Sequence, residues 1–365
     1  MIEQVQINNY KSIRELTLPL NRLNILIGSN GVGKSNFISF FELTKAIYEQ
    51  RFGSYTLTNG GIDNLLYHGR KGSEFIDGLI DFNNTNAFFF RLLPSQSNKG
   101  FIFGTGDYFN KNGTTNKNYR SFWHRNEWDT AVEESNLKND PTWRAGYLKR
   151  FLSSFTVYHF HDTSSTSPMR GTCELNDNGY LRDNGSNLAA YLYLLEHMDE
   201  KAFRLIEGVI RSIAPYFKRF DLKPDPLNPS KINLKWEEVS SDMYLDGYSF
   251  SDGTLRFIAL ATLLLQSKLP EIIIIDEPEL GLHPAAINKF ASLVKKASKK
   301  SQVILSTQST NLVNCFEPDD IIVVDRENDQ SVFKHLSGQD LSVWINDYDY
   351  SLSDMWEKNL IGGQL

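Results

Sequence analysis

The sequence predicts an α/β protein built on a mixed, largely parallel sheet, interrupted by a loop-rich α+β insertion and without a long coiled coil. Two observations favour the parallel sheet. A strand, a turn and a helix follow one another near the start, and the last third alternates helices with short apolar runs. Such runs are typical of strands that helices cover on both faces. No heptad pattern is sustained over three or four repeats, which argues against a long coiled coil.

The amino-terminal segment predicts two strands and a helix. Val5 and Ile7 face one way in the first strand, and a second apolar run covers residues 23–27. Apolar residues then recur at near-helical spacing between residues 35 and 48. The helix is therefore expected to begin directly after a short turn behind the second strand.

The middle of the chain predicts an insertion with few regular elements. Residues 75–103 have a strand-like pattern, whereas residues 105–140 are rich in Asn, Gly, Thr and Lys and are interpreted as long surface loops. A strand is expected at 155–160, and two helices are expected between residues 188 and 217.

The last third predicts the remaining strands of the sheet. Helices are expected at 257–266 and 286–297, and strands at 272–275, 302–306 and 321–324. The expected domains are a discontinuous main domain formed by residues 1–95 and 235–338, an insertion formed by residues 96–234, and a carboxy-terminal aromatic tail formed by residues 339–365.

Composition narrows the class of protein. The formal net charge of −6 argues against a protein that coats nucleic acid or an anionic membrane. The two cysteines, Cys173 and Cys315, are far apart and exclude a disulfide framework and a structural zinc site. The longest uncharged apolar run, residues 257–265, is far shorter than the ~20 residues of a membrane span, and the first residues do not resemble a secretory leader. We expect a cytoplasmic protein without membrane contact.

Residues 28–35 read GSNGVGKS and form a complete phosphate-binding loop, GxxxxGK[ST]. The loop follows an apolar strand and opens a helix, so its backbone N–H groups can surround phosphates at the positive end of the helix dipole. Lys34 is expected to neutralise the β and γ oxygens of ATP, and Ser35 to bind Mg²⁺. The structural alternative is a flexible glycine-rich turn. The residues predicted to bind the nucleotide here are Asn30, Gly31, Val32, Gly33, Lys34, Ser35 and Asn36.

Four consecutive isoleucines end in the acidic pair Asp276 and Glu277. Alone, such a pair is more often a helix cap or a turn, but carboxylates that end a buried strand are costly unless they meet a cation or a solute. Downstream of a phosphate loop, Asp276 is predicted to hold Mg²⁺ through water. Glu277 is predicted to orient or deprotonate the attacking water. Glu279 is interpreted as a surface residue or a cap.

The segment FSDGT, residues 250–254, stands just before a helix and some twenty residues ahead of the acidic pair. In this order it resembles the signature motif of ABC-type ATPases, in the variant form of RecF, SMC and OLD-like proteins. The resemblance implies that two protomers face each other. It also implies that Ser251 and Gly253 of one protomer bind the γ-phosphate held by the other.

Further segments resemble the same superfamily. Residues 281–284 resemble the D-loop, which would place His283 near the dimer seam. The segment QVILSTQS resembles the strand and switch that usually present a histidine to the γ-phosphate. Gln308 stands there instead and can hydrogen-bond phosphate or water but cannot take up a proton. The SMC-like opening NNYKS implies that Lys11 approaches the phosphates, and a solvated lysine is an equal alternative.

The resemblance covers nearly the whole chain and is to bacterial stand-alone ATPases of the RecF/OLD-like type. A Q-loop glutamine has no match, and His161 is either its substitute or a structural histidine. The resemblance implies slow ATP hydrolysis that opens and closes a head-to-head homodimer and so regulates a separately encoded effector, a nuclease, in anti-phage defence.

Two alternatives stay open. One is a DNA-repair or DNA-binding ATPase of the RecF type, and the other is a scaffold held together by ATP with incidental turnover. DNA would need a local basic patch, for which the lysines 295, 296, 299 and 300 are candidates against a solvated helix face. The aromatic tail either packs back on the main domain or is exposed as a docking surface.

Overall fold

The computed structural model describes residues 1–83, 86–95, 101–109, 124–241 and 243–363. The strands in these ranges are β1 (Ile2–Tyr10), β2 (Ile13–Pro19), β3 (Leu23–Ile27), β4 (Ile76–Phe82), β5 (Asn86–Pro94), β6 (Phe101–Phe109), β7 (His124–Val132), β8 (Val157–Tyr158), β9 (Cys173–Glu174), β10 (Phe217–Phe220), β11 (Lys231–Ile232), β12 (Lys235–Glu238), β13 (Tyr244–Asp246), β14 (Ile272–Asp276), β15 (Gln302–Thr307), β16 (Ile321–Glu327) and β17 (Gln330–His335). The helices are α1 (Lys34–Tyr48), α2 (Phe52–Thr58), α3 (Ile62–Leu65), α4 (Gly69–Gly72), α5 (Trp143–Leu152), α6 (Leu188–Met198), α7 (Glu200–Ile213), α8 (Asp252–Leu265), α9 (Pro284–Ser298), α10 (Thr310–Val313), α11 (Ser342–Asn346) and α12 (Leu352–Glu357).

The central sheet has six strands in the order β17-β16-β3-β15-β14-β8, and all neighbours run parallel except β16 and β17. The strands β3, β14 and β15 are buried along their whole length except at Asp276. Apolar residues on both faces make such strands stable only where helices or another sheet cover both sides. The predicted α/β class with a mixed, largely parallel sheet is confirmed.

The register of this sheet brings distant residues together. Asp276 pairs with Ser306 on the neighbouring strand, and Thr307 pairs with Ile27 on the next. The carboxyl ends of β3, β15 and β14 therefore lie side by side at one edge. Ligands of open α/β sheets bind at this edge.

A second, antiparallel sheet of six strands, in the order β2-β1-β4-β5-β6-β7, lies on one side of the central sheet. Helix α1 packs between the two sheets. The ring of Phe40 stacks on Phe90 of β5 with 5.6 Å between centroids, and the same buried cluster contains Ile274 and Ile304 of the central sheet. The apolar spacing of α1 thus serves two layers and fixes the loop in front of it.

The expectation of loops over residues 105–140 is wrong in part. Strand β6 runs to Phe109, strand β7 covers His124–Val132, and residues 110–123 lie outside the described residues. Strand β6 is paired with β5 along its length, from Asn86 opposite Phe109 to Pro94 opposite Phe101. Backbone pairing stabilises this strand despite Gly104 and Gly106, and backbone pairing leaves no trace in composition. The chain crosses the boundary predicted at residue 95 within one sheet, while the domain limits themselves stay predictions.

The other face of the central sheet is covered by helices. The two helices predicted between residues 188 and 217 are present as α6 and α7, and they break at Asp199, whose carboxylate caps α7 by accepting from the Ala202 N–H at 3.3 Å. They share one buried cluster with α8 and α9. In the described ranges, no helix is long and apolar enough to cross a membrane.

The carboxy-terminal tail folds back onto the molecule in part. Leu352, Met355 and Trp356 of α12 are buried in the cluster that contains α8 and α9. Earlier in the tail, Trp344 and Tyr348 keep 37% and 60% of their surface exposed. The tail therefore packs back in its last segment and is exposed before it, while docking of a partner there stays a prediction.

Candidate nucleotide-binding site

The predicted phosphate loop lies between β3 and α1. Gly33, the residue before the helix, has φ +117°, and a Cβ atom there would overlap the side chain of Ser331. Glycine is therefore required by both conformation and space. Among the described residues, no side chain caps the first turn of α1, and the Ser35 side chain in that turn is exposed. Uncapped N–H groups at a helix start form a site for phosphate.

Lys34 lies inside this loop. Its ammonium donates to the carbonyl oxygens of Gly28 at 2.6 Å and Ser29 at 2.9 Å. Burial lowers the pKa of Lys34, and the negative charges of Glu277 and Asp276 oppose that change. The lysine charge and the acidic pair thus share one electrostatic environment.

The remaining residues of the loop differ in their exposure and contacts. Asn30 and Gly31 are exposed, and Val32 is buried against the sheet. Asn36 instead donates from its amide to the Ser12 hydroxyl at 2.7 Å, which makes it a support of the loop in this structure.

Ser12 and Ser331 support the phosphate loop, and neither is among the site residues predicted from the sequence. Ser12 and Ser331 share a hydrogen bond of 2.6 Å, and the Ser331 hydroxyl donates to the Val32 carbonyl at 2.5 Å. Ser12 belongs to the segment NNYKS that the resemblance singled out, whereas Ser331 stands alone on an edge strand and leaves no sequence signal. Ser331 is 299 positions from Val32 along the chain, so strand β17 contacts the loop only in the folded protein.

Lys11 contacts the same helix. Its ammonium donates to the Ser39 hydroxyl of α1 at 2.9 Å, and burial lowers its pKa. The backbone of Lys11 has φ +49°, a conformation that non-glycine residues seldom adopt. Lys11 is thus half-buried and hydrogen-bonded, while a role toward phosphate stays a prediction.

The acidic pair stands at the end of β14, next to β15. Ser306 donates from its hydroxyl to Asp276 Oδ1. Glu277 has φ +41°, and its backbone N–H is held by the Ser306 carbonyl at 3.1 Å and the Ser306 hydroxyl at 3.2 Å. The sheet thus imposes an unfavourable backbone conformation at the residue predicted to act on water.

Gln308 lies next to this carboxylate. Its side-chain amide donates to Glu277 Oε1. An amide that both donates and accepts can hold a water molecule beside the carboxylate. Gln308 and Glu277 are therefore brought together from two strands.

The interpretation of Glu279 as a surface residue is wrong. Glu279 is 8% exposed, and its Oε1 accepts from the Thr307 hydroxyl at 2.5 Å and the Gln308 N–H at 3.1 Å. Its other oxygen is buried without a partner among the described residues, and burial raises the pKa of Glu279. The burial of Glu279 could not be predicted from the sequence, because it depends on a turn after Pro278 that brings Glu279 next to Thr307 of β15.

His161 also reaches the acidic pair. Its ring Nε2 donates to the backbone carbonyl of Asp276 at 2.7 Å. The histidine is thus a structural partner of the strand end, and it places the segment after β8 against the site.

The predicted signature motif lies at the start of α8. The Ser251 hydroxyl caps the helix by accepting from the Thr254 N–H at 3.2 Å, and Ser251 itself is exposed. Gly253 packs so closely against the Gly281 carbonyl of the predicted D-loop that a Cβ would overlap it. His283 caps α9 through Nδ1, which accepts from the Ala285 N–H at 3.2 Å, and is exposed. Among the described residues, no hydrogen bond joins Ser251 to the phosphate loop of its own chain.

The carboxy-terminal strap, which we define as residues 359–363, crosses the start of the phosphate loop. The Ser29 N–H donates to the Gly363 carbonyl at 2.8 Å, and the Gly363 N–H donates to Asp325 at 3.1 Å. The indole nitrogen of Trp356 is buried without a partner in the described part of the chain, 3.3 Å from where a Cβ of Gly363 would lie. Sequence reasoning missed the strap, and the pair Gly362-Gly363 was its only signal.

These residues fit a nucleoside triphosphate and Mg²⁺. The Ser29 hydroxyl is a buried polar atom that has no partner within the described ranges, and the uncapped helix start faces the same loop. Ser35 and Asp276 carry the hydroxyl and carboxylate oxygens that Mg²⁺ prefers. The arrangement can bind phosphates, hold a divalent cation and place a carboxylate against water.

Comparison with known proteins identifies the family of the chain. Residues 23–314 match the AAA_21 family, described as "AAA domain, putative AbiEii toxin, Type IV TA system". The match covers most of the chain, and the chain belongs to this family. The chain is similar to the Old nuclease of Escherichia phage P2, with 24% identity over 91% of the chain and 60% of the relative. It is also similar to the OLD nuclease of Thermus scotoductus, with 22% identity over 95% of the chain and 66% of the relative. The chain thus spans about two thirds or less of the length of these relatives.

Solved structures share the fold. An SMC head bound to the C-terminal winged-helix domain of ScpA matches with a TM-score of 0.61 and 16% identity, over 93% of this chain and 99% of that one. An Smc head with an extended coiled coil, bound to the C-terminal domain of ScpA from Pyrococcus furiosus, matches with a TM-score of 0.55 and 15% identity, over 96% and 99%. The fold is that of an SMC head, and the resemblance to SMC, RecF and OLD-like ABC-type ATPases is confirmed.

Proposed function

We propose that the chain is an ATP-hydrolysing switch whose two copies close head to head around ATP and thereby control a separate effector. The observation that carries this proposal is the convergence of Lys34, Glu277 and Gln308 at the carboxyl ends of three neighbouring strands, while Ser251 stays exposed on α8. One half of an ATP site is assembled within the chain, and the other half faces outward.

Each residue then has a defined task. The Lys34 ammonium and the first N–H groups of α1 bind the phosphates, and Glu277 accepts a proton from the attacking water, which Gln308 orients. Bound Mg²⁺ supplies charge neutralisation at the phosphates, and Ser35 and Asp276 are the residues that would hold it. Gln308 cannot store a proton, so Glu277 alone is the base.

The composite site predicts complementation. A Lys34→Ala chain lacks a working phosphate loop but keeps its signature motif, and a Ser251→Arg chain has the reverse. Mixed, they form one competent site per heterodimer, so part of the ATPase activity should return in a phosphate-release assay. If mixed dimers form and no activity returns, the site is complete within one chain and the head-to-head proposal fails.

A scaffold with incidental turnover is the second candidate. It is favoured by the hydrogen bond that joins Gln308 to Glu277, because that contact occupies Oε1, one of the two carboxylate oxygens that could accept from water. Turnover measured with and without the partner or DNA separates the two functions. A switch responds to its partner, and a scaffold hydrolyses ATP at one slow rate in every state.

We propose a nuclease as the effector and anti-phage defence as the setting. Two relatives are named as nucleases, which supports an effector of that class. The family description names a toxin of a toxin–antitoxin system, which supports a role in defence over DNA repair. A solved SMC head of the same fold is bound to a domain of ScpA, which supports a separate polypeptide as the effector.

A further inference from the structure

Arg170 is a buried arginine that the ATPase site itself does not use. Its side chain is 5% exposed. The guanidinium donates to the backbone carbonyls of Thr163 at 2.9 Å, Gly247 at 2.7 Å and Phe250 at 2.9 Å, and to the Asp252 carboxylate at 2.7 Å. One side chain thus satisfies acceptors from two separate segments of the chain.

Most of these acceptors belong to one short segment of the chain. Residues 247–252, which we call the signature loop, lead into α8 and include Ser251. Gly247 at the start of the loop packs against the backbone of Arg170, since a Cβ there would lie 3.3 Å from the Arg170 Cα. A planar guanidinium with five N–H donors can meet several carbonyls at fixed angles, which a lysine ammonium cannot reproduce. Arg170 therefore holds the backbone of the signature loop from outside it.

The segment that carries Arg170 is anchored to the acidic pair at its other end. Arg256 of α8 donates to the carbonyls of Phe160 and His161, each at 2.8 Å. The His161 ring in turn donates to the Asp276 carbonyl at 2.7 Å. Residues 160–170 therefore join the exposed signature loop to the strand that ends in Asp276.

We propose that Arg170 is a positioning residue that fixes the signature loop of its own chain in the form that the partner's ATP binds. This inference rests on the proposed composite site. Without the guanidinium, three buried carbonyls lose their donor and the loop must rearrange to meet water. Ser251 and Gly253 then leave the positions needed across the dimer, while the phosphate loop of the same chain is untouched.

The two complementing chains test this role, because Arg170→Ala can be added to either one. In that mixture, the competent site uses the signature motif of the Lys34→Ala chain and the phosphate loop of the Ser251→Arg chain. Arg170→Ala added to the Lys34→Ala chain should lower the recovered turnover about tenfold or more. The same substitution added to the Ser251→Arg chain should leave the turnover within about twofold of the parent mixture. Any general loss of folding affects both placements alike.

The outcomes separate the two proposals. Equal loss in both placements, or no loss in the first, overturns the role of Arg170 while the composite site stands. A parent mixture that forms mixed dimers and recovers nothing overturns the composite site, and the role of Arg170 falls with it.

Two further variants serve as controls. Arg170→Lys keeps the charge and the pairing with Asp252 but lacks the planar fork, so it should fall between wild type and alanine in the first placement. It also provides the test if the alanine chain does not fold. Arg182→Ala removes the half-exposed pair with Asp177 in the following segment and should match the parent in both placements.

Discussion

Glu277 shows how the sheet determines chemistry at a single residue. Its φ of +41° is held by two hydrogen bonds from its N–H to Ser306, and its carboxylate meets Gln308. Unfavourable backbone conformations persist where surrounding contacts over-determine them, and they occur often at active sites. The geometry of the predicted base is therefore a property of the β14 and β15 pairing.

Glu277→Gln should separate binding from hydrolysis. The amide keeps the shape of the side chain but cannot accept a proton, so turnover should fall by about 10²- to 10⁴-fold while ATP still binds. An ATP-bound dimer should accumulate, measured by analytical ultracentrifugation. Lys34→Ala is the control that neither binds ATP in calorimetry nor dimerises. Turnover equal to wild type in Glu277→Gln would assign proton transfer to another residue.

Glu279 gives a prediction for pH. Burial raises the pKa of Glu279 above its ordinary value of 4.5, so the folded state binds more protons than the unfolded chain above that pH. The contribution of Glu279 to stability is full below pH 4.5 and is lost as pH rises through the raised pKa. Glu279→Gln removes this dependence, and its free energy of unfolding in urea should improve relative to wild type from pH 4.5 upward. Parallel pH profiles for the two proteins would contradict the burial effect.

Among the elements, those with strong periodicity were predictable and those stabilised by pairing were not. Helix α1 and strand β14 can be predicted from the order of their apolar residues alone, because those residues are the ones that each element buries. Strands β6 and β7 contain glycine or charged residues, and they form because β6 pairs with β5 and β7 pairs with β6. The strap is similar, since its contact with the loop exists only after α12 has docked.

The strap should tune the affinity for ATP. Gly363 has φ +80°, and a Cβ there would lie 3.0 Å from Val323 and 3.4 Å from Gly28. Gly363→Val should displace the carbonyl that accepts from Ser29 and weaken ATP binding about fivefold, the equivalent of one ordinary hydrogen bond. Leu360→Ser, at an exposed position of the same strap, should bind ATP as wild type does in calorimetry. Equal dissociation constants for all three proteins would show that the strap does not support the loop.

At the scale of the whole molecule, motif spacing predicted which residues meet, and topology decided how. Lys34, Asp276 and Gln308 come together because three parallel strands end at one edge, as the sequence indicated. Ser331 and Arg170 could not be found in this way. Each acts on backbone atoms of a distant segment, and a backbone carbonyl carries no residue identity that a sequence could reveal.

Exposed aromatic residues on the tail predict a binding surface for the effector. The rings of Trp344, Tyr348 and Tyr350 lie within 6.3 Å of one another on the tail, with the first two exposed. Exposed aromatic residues dominate binding energy at interfaces. The chain, tagged at its amino terminus, should co-purify with the product of a neighbouring gene, and Trp344→Ser with Tyr348→Ser should weaken that complex.

Leu57→Ser removes a 72% exposed apolar side chain elsewhere and is the matched control for this experiment. It should leave the complex intact. A homodimer that performs its biological task without a second protein would refute the effector.

The strap has one more consequence, which is optical. Trp356 lies against Gly363, whose carbonyl meets the phosphate loop, and Trp236 stacks on Phe250 of the signature loop with 4.5 Å between ring centroids. Indole emission depends on the polarity around the ring. The chain therefore carries a native fluorophore beside each half of the proposed ATP site, and single-tryptophan variants would report nucleotide arrival and dimer closure as two separate colour changes, without any attached dye.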